Sequence, residues 1–172
     1  ARTLGEISRM LAGADKLLKV EFSANHLRVV VDETTLISRL YTGEFVKREN
    51  IFPPSFTTEV TLKRTELIES VERASVLIRG EKNNLIIMEV KGGAVYVTAN
   101  SEIGNVAEKV NAVLEGKEIR IAMNGKYVLD ALKALDEEEI VMYMNTPIAP
   151  FVLKNKENKY GAYLILPVRT TA

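Results

Sequence analysis

Residues 57–78 read TTEVTLKRTELIESVERASVLI, and residues 118–135 read EIRIAMNGKYVLDALKAL. In both, a short strand-like run passes directly into a segment whose apolar residues recur at helical spacing. These runs predict strands at 57–62 and 118–122. Leu67, Val71, Ala74 and Ile78 form one stripe of a 3.6-residue helix and predict a helix over 65–78. Val128, Leu132 and Leu135 do the same over 126–135, with Asn124 placed to cap the first turn. Three strand-like runs follow each helix, at 85–90, 94–99 and 105–113, then at 140–144, 151–154 and 162–166. Gly92-Gly93 suits a tight hairpin between two of them. The repeating unit is therefore strand, helix, three strands.

Working outward, the first fifty or so residues carry the same order without the leading strand. Leu4, Ile7 and Leu11 mark a helix over 2–11, and strands follow at 18–22, 27–31 and 35–41. Residues 42–54, with Gly43, Pro53 and Pro54, break the pattern and read as a linker. Self-similarity with a period of about 50 to 60 residues is too long for most solenoids. It suits an α+β domain made of two units, with antiparallel sheets outside and two helices on one face. On this reading 54–172 is one complete domain and 1–53 is half of another.

Composition limits what such a chain does. The 172 residues are 47% hydrophobic and 27% charged, enough for a core and too mixed for disorder. No apolar run approaches the roughly 18 residues of a membrane span, and no secretory leader is visible at Ala1. Cysteine is absent, which excludes disulfides and thiolate zinc sites and fits a reducing compartment. The chain does not begin with Met, so either its start has been removed or it is a fragment. Net charge is zero, against the basic excess usual in free-standing DNA binders.

Catalytic chemistry finds no foothold. His26 is the only histidine and reads as a surface residue at a hairpin. The acidic run 136–139 reads as a solvated turn, because metal ligands must converge from several directions. No phosphate-loop or dinucleotide pattern occurs, so no cofactor is expected. Asn124-Gly125-Lys126 at a helix start suits capping better than anion binding. Two features resist a purely structural account. Val76 lies opposite the apolar stripe of its helix, with Leu77 off centre, as a frayed end or a contact surface. The terminal run 163–169, YLILPVR, reads as a closing strand with a rim able to take a short peptide.

Those same segments resemble bacterial DNA sliding clamps, the beta subunits of DNA polymerase III. LYTGEF at 40–45 with IFP at 51–53 resembles the clamp linker, and ERASVL at 72–77 resembles the clamps' "RASLL" helix end. VTANS at 97–101 resembles a strand and turn of the family. MNGKYVLDAL at 123–132 resembles "FNxxYLLDAL", and LPVR at 166–169 resembles the terminal "[ML]P[VI]R". Val46 departs from the family's usual linker proline, and Thr170 stands where many members end on a hydrophobe.

The resemblance implies a DNA-clamp fold: repeated β-α-β-β-β units, antiparallel sheets outside, helices lining a central hole. Residues 1–53 would be the second half of a middle domain plus linker, and 54–172 the C-terminal domain. It implies a cytoplasmic, non-catalytic ring of two subunits around duplex DNA, without metal or cofactor. Polymerase, clamp loader and repair proteins would dock a short apolar motif. The implied peptide pocket comprises Val46, Ile51, Asn124, Tyr127, Ile148, Pro150, Leu164, Ile165, Leu166, Pro167, Val168 and Arg169. Arg2, Arg9, Lys63, Arg64, Arg73, Arg79, Lys126 and Lys133 would face DNA. Val76, Leu77, Asn105 and Ala107 would belong to the ring interface. The alternatives are an α+β peptide-binding module without a DNA role, and a small hydrolase or transferase using the helix start at Asn124.

Overall fold

The computed structural model describes residues 2–12, 17–47, 51–80, 84–157 and 161–170. The chain divides into two units, Ala1–Lys47 and Arg48–Ala172. The linker expected at 42–54 spans this division, and its residues 48–50 lie outside the described ones.

The first unit is helix α1 (Arg2–Leu11) and a meander of β1 (Lys19–Phe22), β2 (His26–Val31) and β3 (Thr34–Arg39), paired in that order and antiparallel. Val29 and Val31 are buried. Thr3 Oγ1 and Ser38 Oγ, 3.0 Å apart, tie helix to sheet. No residue of α1 is fully buried, although Leu4, Ile7 and Leu11 form an apolar stripe.

The second unit holds two copies of the repeat. One is β4 (Thr58–Lys63), α2 (Arg64–Leu77), β5 (Leu85–Lys91), β6 (Ala94–Ser101) and β7 (Gly104–Gly116). The other is β8 (Ile119–Asn124), α3 (Gly125–Ala134), β9 (Glu139–Met144), β10 (Phe151–Asn155) and β11 (Tyr163–Ile165). Strand order is β11-β10-β9-β4-β7-β6-β5-β8, antiparallel throughout.

The copies interlock. Leading strand β4 pairs with β9 of the second copy, and leading strand β8 pairs with β5 of the first. Instead of two separate sheets, one continuous order of eight strands results. The reason is β7, whose 13 residues serve both halves. Its residues 104–111 pair with β6, and 112–116 pair with β4. Gly116 permits this junction: its φ is +98°, and a Cβ there would stand 2.1 Å from the Thr57 carbonyl oxygen.

At the opposite pair of ends the match is incomplete. Pro167 has no N–H to give and ends strand pairing, so β11 stops at Ile165. Beyond it the Val168 N–H donates to the Ala122 carbonyl of β8 at 2.8 Å. β7 and β4 share five paired positions; the tail meets β8 through this one backbone hydrogen bond among the described residues.

Both helices pack on one face of the sheet. Leu67, Val71, Ala74 and Ile78 meet Val128, Leu132 and Leu135 over Ile86, Met88, Met123, Met142 and Phe151 in one core. Gly125 lets α3 start close to α2, since a Cβ there would lie 3.0 Å from Ser75 Oγ. Arg64 ties the start of α2 to the turn between α3 and β9, its Nε donating to Glu137 O at 2.8 Å and its backbone N–H to Glu138 O at 2.8 Å.

Candidate functional site

The C-terminal tail crosses from β11 to β8 and roofs a cavity of about 570 Å³. Ile87, Arg120, Ala122, Pro147, Ile148, Val168, Arg169 and Thr170 line it. Ile86, Met88, Ile121 and Met123 belong to the core under the helices, so strand alternation turns Ile87, Arg120 and Ala122 to the opposite face. The volume is within the range of ligand pockets, roughly 300–1,000 Å³.

Of the residues expected at a peptide pocket, the structure gathers Ile148, Val168 and Arg169 here. Ile148 is 71% exposed and Leu166 66%. Leu164 is half-buried and opposite Val152 in the β10–β11 register. Pro150 and Pro167 are half-buried. Ile165 differs: at 6% exposure it packs into the core with Phe151 and Leu153, and its side chain is not open to a ligand. Asn124 lies two residues after the carbonyl that receives the tail. Its Oδ1 caps α3, accepting from Lys126 N at 3.0 Å and Tyr127 N at 3.3 Å. Tyr127 is exposed on the first turn of α3. Val46 is exposed in the first unit and Ile51 is exposed near the start of the second.

Ile87, Arg120, Ala122, Pro147 and Thr170 escaped the sequence reading. Ile87 carried a usable signal, as an apolar residue at the outward position of LIIMEVK. Arg120 carried none, since an outward charge on a strand is ordinary.

The cations expected to face DNA are mostly engaged. Arg9 pairs with Glu6 at 2.9 Å, Lys133 with Glu72 at 2.7 Å, and Lys63 approaches Glu66 at 4.0 Å. Arg73 makes a two-pronged contact with Glu108, at 2.9 and 2.8 Å. That hydrogen bonding raises the Arg73 pKa and lowers the Glu108 pKa from its usual value, against a smaller opposing effect of burial. Arg64 is half-buried on backbone carbonyls. Arg2, Arg79 and Lys126 are exposed.

At the other end of α2, Val76 is 75% exposed. Leu77 is half-buried, its Cδ1 3.9 Å from where a Cβ on Gly104 would stand. This brings the helix end to the β6–β7 hairpin, whose Ile103 is 84% exposed and was not anticipated. Asn105 and Ala107 are exposed on β7 and paired with Asn100 and Thr98 of β6. Over residues 104–111 the other edge of β7 has no partner strand among the described residues.

The acidic turn has structural employment: Asp136 accepts from Asn155 Nδ2, and Glu139 pairs with Lys156 Nζ at 2.7 Å. Among the described residues no group of His, Cys, Asp or Glu is arranged to hold a metal ion, and no helix is long and apolar enough to cross a membrane.

Two interlocked β-α-β-β-β units with both helices on one sheet face define the DNA-clamp fold. A DNA polymerase sliding clamp from Bacillus subtilis superimposes with a TM-score of 0.78 at 30% identity, over 98% of this chain and 45% of that one. A DNA polymerase III beta chain from Streptococcus pneumoniae gives 0.79 at 28% identity, over 98% and 46%. Residues 49–169 match the family model of the DNA polymerase III beta subunit, C-terminal domain, and the chain belongs to that family. A beta sliding clamp from Staphylococcus epidermidis is 32% identical over 171 residues, 98% of this chain and 45% of the relative. The chain thus spans less than half the length of the relatives it matches.

Proposed function

We propose that this chain is the C-terminal part of a non-catalytic processivity clamp that encircles duplex DNA as a ring of two subunits. On this reading residues 1–53 are the second half of a middle domain with its linker, and 54–172 are the C-terminal domain. The clamp-fold likeness along 98% of the chain is the observation that carries it. A ring also suits the charge. Net charge is zero and half of the helix cations, Arg9, Arg73 and Lys133, are paired with acids, so phosphate contacts would be weak and retention would fall to topology. Arg2, Arg79 and Lys126, with the carbonyl-bonded Arg64 and the acid-paired Arg9, Lys63, Arg73 and Lys133, would supply sequence-independent contacts in the hole. The ring would close through Val76, Leu77, Asn105 and Ala107, joined by Ile103.

Polymerase, clamp loader and repair proteins would dock short apolar peptides along the C-terminal tail. Leu164, Leu166, Pro167, Val168, Ile148 and Pro150 supply apolar surface. Asn124, Tyr127 and Arg169 would supply polar contacts, and Ile51 the linker side. A fully buried leucine or phenylalanine contributes about 1.5–3 kcal/mol. The test uses the intact subunit. Deleting residues 166–172 should abolish peptide binding by calorimetry while sedimentation still reports the ring. Unchanged affinity overturns the site. For the ring itself, equal retention of loaded protein on linear duplex with free ends and on closed circles overturns the topological mechanism.

A further inference from the structure

The cavity under the tail is lined by two arginines, Arg120 and Arg169, and by no Asp or Glu among the described residues. Neither guanidinium makes a hydrogen bond or ion pair among the described residues. This contrasts with Arg9, Arg28 and Arg73, each held by a glutamate, and with Arg64, held by carbonyls. Two acids flank Arg120 in the sheet and line a neighbouring cavity with it, and each has another hydrogen-bond or ion-pair partner. Glu89, its cross-strand partner on β5, pairs with Lys91 Nζ at 3.0 Å. Glu118, two residues earlier, accepts from the Gly92 N–H at 3.1 Å. Between the two cations lie Ile87, Ala122, Ile148 and Val168, an apolar floor.

We propose that this cavity selects an acidic side chain, aspartate or glutamate, in the docked peptide, with Arg120 as the specificity-determining residue and Arg169 as its second cation. The proposal rests on the reading of the tail as a peptide site. A carboxylate accepts two parallel N–H bonds from a guanidinium, which adds geometry to charge. Two like charges facing one cavity also repel a third, so a lysine at that peptide position is rejected, and selection has both an attractive and a repulsive side. An apolar neighbour of the acidic residue would rest on Ile148 and Val168.

The experiment uses the 172-residue chain and acetylated, amidated, fluorescein-labelled Leu-Leu-Phe peptides carrying one Glu, Gln or Lys before, between or after the apolar residues. Amidation removes the terminal carboxylate, and a free-acid arm restores it. Fluorescence anisotropy should show the best Glu peptide binding at least about fivefold more tightly than its Gln counterpart, with Lys weakest, and the ratio falling as salt rises. In Arg120→Gln the Glu-to-Gln ratio should approach one. A wild-type ratio near one overturns the acidic selection alone, as does a ratio that survives Arg120→Gln. A preference that follows the free-acid terminus instead of Glu reassigns the cavity to a chain end. Binding by no peptide of the series overturns the underlying peptide site as well.

Discussion

Gly116→Ala is the substitution whose cost the geometry sets most directly. The backbone there has φ +98°, and the new Cβ would lie 2.1 Å from Thr57 O, 3.0 Å from Thr57 C and 3.3 Å from Thr58 Cα. Van der Waals contact needs about 3.5 Å, so the chain must move by more than an ångström, and the obstacle is backbone that cannot rotate away. The segment that would move is pinned by Thr58 Oγ1 donating to Lys117 O at 2.8 Å and Lys117 N donating to Thr57 O at 3.2 Å. Positive φ costs alanine about 1–2 kcal/mol. Losing both hydrogen bonds adds roughly 1 kcal/mol each. The expected loss is therefore about 3–4 kcal/mol, a large part of the roughly 5–15 kcal/mol that holds a typical domain. Gly93→Ala is the control: its φ is +74°, but its Cβ would meet Ala112 O at an ordinary 3.7 Å, so only the backbone strain of about 1–2 kcal/mol applies. Urea unfolding followed by far-UV circular dichroism reads both. Equal losses for the two variants would refute the claim that close approach at the β4–β7 junction, and not φ alone, demands glycine.

Three further outcomes follow from particular contacts. Asn124→Ala removes a cap that accepts from two N–H groups of α3 and should cost about 1 kcal/mol of unfolding free energy in urea, with little change in secondary structure. The Arg73 guanidinium lowers the Glu108 pKa in the folded state. Its stabilising contribution is therefore full above the unfolded value, about 4.3, and lost as pH falls through the folded value. Arg73→Gln should flatten the acid limb of a stability-versus-pH profile, and an unchanged limb would contradict the pairing. Val76→Asp or Ile103→Asp in the intact subunit should give monomers in sedimentation velocity, because burying an unpaired charge at an apolar contact is costly.

Much of the fold was legible because helix stripes and strand alternation are local. Leu67, Val71, Ala74 and Ile78 announced α2, and all four are buried where the stripe predicts. Asn124 announced the start of α3, and it caps that helix. The end of β11 was read one residue too far, since Pro167 stops the ladder at Ile165. Ile165 itself was ambiguous in a run of four apolar residues, where periodicity cannot say which side chains turn inward.

By itself the sequence determined the order and approximate bounds of the elements, the doubled unit and the family resemblance, since each is written in spacings of a few residues. Tertiary structure alone decided that β4 lies between β9 and β7, joining Thr58 to Met144 and Gly116. It alone laid Val168 on Ala122 and brought Arg120 and Arg169 to one cavity. Those pairings join residues about fifty or more positions apart. The backbone hydrogen bonds that make them are the same for every residue type, so no local pattern names the partner. Only the simultaneous burial of both helix stripes and the pairing of β4 with both β7 and β9 selects it.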